Sequence, residues 1–263
     1  MLTIKEYKRA TSLEEAWQLN QNKQNCILGG MMWMRLGKRN IQTAIDLSDL
    51  GLNQIEENEE EFRIGSMVTL RQLEQHAGLL EYTNGAMKEA LRHIVGVQFR
   101  NLATVGGSIY GRFGFSDVLT IFSVMECEVE LYRGGIVPIE EFIKRKPDRD
   151  ILVRLIIKKA NMQFDYQSVR NTQTDFPILT CAVALCGEKA RIAVGARPAS
   201  ATVLHREIKG TITSESARLL GESVAAEVTF SSNTRGSEAY RERLAKVLTM
   251  RAMCKLGGIT DVD

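Results

Sequence analysis

Two glycine-bearing turns hold the residues of this chain whose type and spacing point most directly to chemistry. One is Leu28-Gly29-Gly30-Met31. The other, far downstream, is Thr104-Val105-Gly106-Gly107-Ser108, preceded by Gln98-Phe99-Arg100-Asn101-Leu102-Ala103. Glycine lets the main chain come close to a ligand, because no side chain stands in the way. Consecutive N–H groups in such a turn make an anion-binding concavity. Two of these in one chain read as backbone loops approaching one ligand from two sides, with a pyrophosphate as the natural occupant. Taken singly, each pair is more often an ordinary turn. Neither has the G-x-G-x-x-G or G-x-x-x-x-G-K-[ST] spacing of the common nucleotide fingerprints.

The other reactive residue types form no constellation. His76, His93 and His205 lie far apart, without metal or triad spacing. The cysteines Cys26, Cys127, Cys181, Cys186 and Cys254 are odd in number and contain no C-x-x-C pair, so they read as reduced core thiols. We therefore expect no catalytic side chain and no metal site in this chain. The 263 residues carry a net charge of +2 and only 6% aromatics, which argues against nucleic acid as a partner. No basic region followed by an apolar run opens the sequence, and Cys181–Cys186 is too short to span a bilayer. A cytoplasmic protein without membrane insertion is the expectation.

The elements that must position the turns can be read coarsely. Ser12-Leu13-Glu14-Glu15 has capping-box spacing and starts a helix expected to run to about Asn25. Cys26–Leu28 and Ala44–Leu47 read as short strands, giving a β-α-β-β unit over about the first 50 residues. The acidic stretch from Asn53 to Glu61 reads as a hairpin tip or boundary, and a strand resumes at Phe62. Thr69-Leu70-Arg71-Gln72 caps a second helix. Met87, Ala90, Leu91 and Ile94 share one face of a third, which Gly96 is placed to end. Cys127–Leu131, Leu152–Ile157, Phe164–Arg170, Ile178–Cys186 and Arg191–Gly195 read as strands. Two helices follow, the last from Ser237 to Leu256. The fold class is α+β, divided into residues 1–55, 56–165 and a C-terminal α/β domain at 166–263.

Leu28-Gly29-Gly30, then Phe99 through Ser108, then Ser116-Asp117, resemble the signature of the FAD-binding (medium) subunits of molybdenum hydroxylases. That family includes the flavoprotein subunits of xanthine dehydrogenase and carbon monoxide dehydrogenase. Phe62–Leu70, Arg191-Ile192-Ala193-Val194-Gly195 and Tyr240-Arg241-Glu242-Arg243-Leu244 resemble further landmarks, so the likeness spans nearly the whole chain.

The resemblance implies a FAD-binding fold of the vanillyl-alcohol-oxidase, or PCMH, type: two α+β subdomains, 1–55 and 56–165. A C-terminal domain of the carbon monoxide dehydrogenase flavoprotein type follows. It further implies that Ile27, Leu28, Gly29, Gly30, Met31, Met32, Trp33 and Met34 form a first cofactor loop, acting largely through main-chain N–H groups. Thr104, Val105, Gly106, Gly107 and Ser108 form the second, with the Thr104 and Ser108 hydroxyls as added donors. Asp117 matches an acid at the adenosine end; a helix N-cap is the alternative reading and is compatible with ligand contact. Leu152 matches a position beside the isoalloxazine ring and Ile94 one near the cofactor. The family's first loop usually reads Ala-Gly-Gly-Thr-Asp; Met31 and Met32 replace its polar pair here, and Trp33 is a candidate to cover a flavin face. The implied function is electron transfer from 2Fe-2S clusters through noncovalent FAD to an acceptor such as NAD. The clusters and the molybdopterin would belong to separate iron–sulfur and molybdopterin-binding subunits. The alternatives are a non-catalytic nucleotide-binding or scaffold subunit and a flavin oxidase acting alone.

Overall fold

A computed structural model describes residues 1–259. In chain order the elements begin with β1 (Thr3–Arg9), α1 (Leu13–Asn20), β2 (Cys26–Leu28), β3 (Asn40–Asp46), β4 (Ile55–Glu57) and β5 (Glu61–Gly65). Short helices follow: α2 (Leu70–Gln75), α3 (Ala77–Tyr82), α4 (Ala86–Leu91), α5 (Val97–Arg100), α6 (Val105–Tyr110) and α7 (Asp117–Phe122). Then come β6 (Cys127–Leu131), β7 (Gly135–Pro138), α8 (Ile139–Lys144), β8 (Leu152–Lys158), β9 (Gln163–Arg170), β10 (Pro177–Cys186), β11 (Lys189–Gly195), β12 (Thr202–Glu207), α9 (Ser214–Glu227) and α10 (Glu238–Leu256).

Two compact units, interleaved along the chain, contain these elements. The first takes residues 1–73, 97–111 and 127–159. It holds a three-stranded parallel sheet ordered β1-β3-β2 and a five-stranded antiparallel sheet ordered β4-β5-β8-β6-β7. Alternation along β2 splits its side chains. Ile27 packs with Ala16, Ile45 and Val153, whereas Leu28 packs with Ile41 and Ala44 on the opposite side. Ser12 caps α1 by accepting from the Glu15 amide at 3.1 Å. Glu15 reaches back to the Thr11 amide at 2.7 Å. The helix stops at Asn20, short of the expected Asn25, because the Asn22 and Asn25 amides close a turn onto Leu19 and Asn22. The acidic stretch is the tip of the β4–β5 hairpin. Thr69 and Gln72 form a reciprocal capping box: the Thr69 amide donates to Gln72 Oε1 and the Gln72 amide to Thr69 Oγ1.

The second unit takes residues 74–96, 112–126 and 160–259. Its antiparallel sheet, ordered β12-β11-β10-β9, lies between two helical layers. Leu179, Cys181, Val183, Ile192, Val194 and Leu204 point toward α9 and α10. On the other face α7 meets β10 through the buried pair Thr120 Oγ1–Thr180 Oγ1 at 3.0 Å. Gly195 is required there, since a Cβ would fall 2.3 Å from Thr120 Oγ1. Of the third-helix face, Met87, Ala90 and Leu91 are buried in α4, whereas Ile94 lies beyond the helix end and is half-buried.

Arg241 is the largest fully buried side chain. It has no carboxylate partner among the described residues; its donors instead serve the carbonyls of Ile178, Ser231 and Gly236 and the Asn233 side chain. It thereby ties the start of α10 to β10 and to the 231–236 loop. Replacing Arg241 with Met strands these buried acceptors, and we expect a loss of about 3 kcal/mol in denaturant unfolding. A loss below about 1 kcal/mol would show that water reaches them.

Glu15 yields a pH prediction. The Thr11 amide, with help from Lys8 and the Thr11 hydroxyl, holds its carboxyl at about 2, against an ordinary 4.5. A depressed folded-state pKa stabilises above the unfolded value and the contribution is lost as pH falls through the folded one. The capping contribution of Glu15 is therefore complete above pH 4.5 and disappears toward pH 2. An NMR titration of the Glu15 carboxyl should give a midpoint near 2; one at an ordinary carboxylate value refutes the contact.

Candidate functional site

Both glycine turns belong to the first unit, and its fold brings them together. A Cβ on Gly30 would lie 1.8 Å from the Leu102 carbonyl oxygen and 2.7 Å from Ala103 Cα. One on Gly29 would lie 2.8 Å from Thr104 Oγ1 and 3.7 Å from Gly107 Cα. Backbone meets backbone at this contact, so glycine is required on steric grounds alone.

The two turns differ in what their amides do. In the second, the Val105 amide donates to the Val68 carbonyl at 2.8 Å and the Gly106 amide to the Ser66 carbonyl at 2.9 Å. The Gly107 amide donates to Thr104 Oγ1 at 3.2 Å, the N-cap bond of α6. The Ser108 amide and hydroxyl both donate to the Thr104 carbonyl. The donors expected of this turn are thus largely spent within the fold. In the first turn, by contrast, the amides of Gly29, Gly30, Met31 and Met32 donate to no acceptor among the described residues. This row of unengaged N–H groups, closed on one side by Thr104 and Gly107, suits the oxygens of a pyrophosphate.

The side chains of the first loop point elsewhere. Met31 and Met34 pack against Leu28, Ile41 and Ala44, and Met32 is buried. Met31 has φ of 58°, a left-handed conformation costly for a residue with a Cβ. Trp33 packs on Phe99 with ring centroids 5.4 Å apart. Leu152 is buried at the start of β8, paired with Leu131.

Ile94 and Asp117 belong to the second unit. The N-cap of α7 is Ser116, whose hydroxyl accepts from the Leu119 amide; Asp117 is the first helical residue. The Asp117 carboxylate is buried and engaged by the Tyr166 hydroxyl and the Arg170 guanidinium. Burial lifts its pKa against the pull of Arg170, and burial beside Asp117 pushes the Tyr166 hydroxyl well above its ordinary range. Tyr166 and Arg170 carry no sequence signal of this role, because they lie 49 and 53 residues from Asp117. Ser66, Val68 and Leu102, whose carbonyls shape the second turn, were equally silent, since any residue type supplies a carbonyl.

Comparison with known proteins agrees with this architecture. Residues 3–161 match the FAD binding domain in molybdopterin dehydrogenase, and residues 164–256 match the CO dehydrogenase flavoprotein C-terminal domain. The chain belongs to this family of molybdenum hydroxylase FAD subunits, flavoprotein components of oxidoreductases. It is 26% identical to the uncharacterized protein YgfM of Escherichia coli K12, over 97% of this chain and 98% of that protein. Quinoline 2-oxidoreductase from Pseudomonas putida 86 shares the fold with a TM-score of 0.84 at 21% identity, covering 97% of both chains. Carbon monoxide dehydrogenase from Hydrogenophaga pseudoflava does so with a TM-score of 0.82 at 21% identity, covering 94% of this chain and 95% of that one. No helix among the described residues is long and apolar enough to cross a membrane.

The contact between the turns predicts an asymmetry between glycines. Gly30→Ala must push backbone from backbone and should cost roughly 1–3 kcal/mol in chemical denaturation. Gly107→Ala meets only Thr104 Oγ1 at 3.2 Å and should cost less than half as much. Equal losses would mean that the turns do not press on each other.

Proposed function

We propose that this chain is the FAD-binding electron-transfer subunit of a xanthine dehydrogenase-like molybdenum hydroxylase complex. The observation that carries the reading is the run of four unengaged amides at Gly29–Met32, in a turn packed against a second glycine turn that is already braced. A cofactor held this way depends on main-chain donors. The amides of Gly29, Gly30, Met31 and Met32 would donate to pyrophosphate oxygens. Thr104 Oγ1 already accepts from Gly107, which leaves its own proton for an oxygen of the cofactor. Ile27, Leu28, Trp33, Met34 and Val105 complete the two loops, with Gly106 and Ser108 shaping the second. Leu152 and Ile94 are proposed beside the flavin. The Tyr166 and Arg170 contacts of Asp117 both fall on Oδ1, and Oδ2 is the oxygen proposed for the ribose hydroxyls.

Bound FAD would supply the exchange between one-electron iron–sulfur carriers and a two-electron acceptor such as NAD, chemistry that belongs to the cofactor. The chain's own part is to bind and orient it, noncovalently and without an obligatory side-chain acid or base. The 2Fe-2S clusters and molybdopterin are proposed to sit in separate iron–sulfur and molybdopterin-binding subunits, in a cytoplasmic heteromer. For the chain itself we propose FAD-binding subdomains at 1–55 and 56–165 and a C-terminal domain at 166–263.

Absorption spectroscopy tests the reading directly. The purified chain, or the stripped chain incubated with FAD and desalted, should retain one flavin per chain with its visible bands. A colourless chain that takes up no FAD would instead favour a scaffold subunit.

A further inference from the structure

The second unit holds a stack of rings that ends in solvent. Phe113 is 39% exposed and lies almost parallel to Phe115, with centroids 5.2 Å apart and planes 10° apart. Phe115 packs against Phe176 at 4.3 Å and 60°. The Arg235 guanidinium sits 4.9 Å from the Phe176 centroid. Phe113, part of it in solvent, is thus stacked on one ring that a second, tilted ring and a guanidinium support in turn.

The backbone that presents this ring is strained and tightly held. Arg112 has φ of 45° and Ala196 has φ of 57°, left-handed values at two residues that carry a Cβ. The Ala196 amide donates to the Gly114 carbonyl at 3.0 Å, and the Ser116 amide to the Phe113 carbonyl at 3.0 Å. Gly114 lies so near Ala199 that a Cβ would fall 2.9 Å from its carbonyl oxygen. Behind the rings, Asp117 binds Arg170, Arg170 donates to the Asp175 carbonyl at 2.8 Å, and the Asp175 carboxylate holds Arg235 at 3.2 Å. Strain persists only where the surroundings over-determine it, and such places cluster at ligand clamps. Here the strain keeps an apolar ring in water, which folding alone does not favour.

We infer that Phe113 is a stacking platform for the flat heteroaromatic ring of a nucleotide. A fixed ring backed by a second ring offers its outer face to any planar π-system. Charge selects the class. Arg197, next to Ala196, donates to the Ser200 and Thr229 carbonyls and has no carboxylate partner among the described residues. Its uncompensated positive charge suits a ring that carries phosphates. The ring could belong to FAD itself or to a separate dinucleotide acceptor.

Phe113→Trp in the full-length chain separates these sources. The chain already contains two tryptophans, so the signal is the lifetime component present in F113W and absent from the parent. FAD, NADH and AMP are titrated separately. Quenching by FAD alone assigns the platform to the cofactor; quenching by NADH or AMP assigns it to a second nucleotide. Phe113→Ala should weaken the quenching nucleotide about tenfold, as loss of one ring stack does, and leave the melting temperature within a degree or two of the parent. Quenching by none of the three, or unchanged affinity in F113A, overturns the inference. FAD uptake by the parent is read from flavin absorbance in the same titration. Normal uptake without any dependence on Phe113 would sink the platform and leave the FAD reading standing.

Discussion

The close approach of Gly29 and Gly30 to the segment Leu102–Gly107 is the constraint on which the cofactor site proposed for the first unit depends. At Gly30 no Cβ can be accommodated, because a carbonyl oxygen occupies its place. The end of β2 and the start of α6 are thereby locked at backbone contact distance. The second turn is rigid for a separate reason. Its amides are consumed by carbonyls of Ser66 and Val68, just past the end of β5, and by its own N-cap threonine. One turn is a wall and the other a set of donors. A symmetrical pair, each with its own free amides, would have left both turns without internal support.

This asymmetry could not be read from the residues. The glycine pairs look alike in sequence, and their difference lies in which carbonyls face them, a long-range fact. The same holds for Asp117, whose partners come from β9. What was legible is what local physics decides. Ser12 and Thr69 each cap the helix that their spacing announces, and Ser237, expected only as the start of the last helix, caps it. The apolar–charged alternation of Cys127–Leu131 matches β6 residue for residue. What escaped is equally instructive. Strand β1, implied by the β-α-β-β reading but given no bounds there, is mostly exposed and charged; its residues do not announce it, and pairing with β3 defines it. Strand β12 is short and half polar, and it is defined by its ladder to β11.

The residues that carry the family resemblance divide into two physical kinds. In the C-terminal half they are packing devices. Arg241 of the Tyr240–Leu244 landmark is a buried clamp on four acceptors. Gly195, which ends the Arg191–Gly195 landmark, makes room for the Thr120–Thr180 pair. Arg191 itself holds the Met125 carbonyl and Glu126. These positions identify the fold and say nothing about a ligand. Function has to be argued from the glycine turns, where the sequence constraint is steric but leaves donors unspent.

That distinction bears on the methionines of the first loop. Replacing a polar pair by Met31 and Met32 looks in sequence like the loss of a binding site. In the structure the Met31 side chain turns into the apolar cluster of Leu28, Ile41 and Ala44, and Met32 is buried. What a hydroxyl would have added is gone, but the amides at both positions are still unengaged. Main-chain donors do not depend on the side chain that follows them. They depend on the path of the backbone, and here a buried thioether anchors that path even through a left-handed residue at φ of 58°. The loop is thus supported by apolar contacts with its own sheet. A loop held from behind in this way needs no ligand to take its shape, and that is the condition under which four amides can remain without partners.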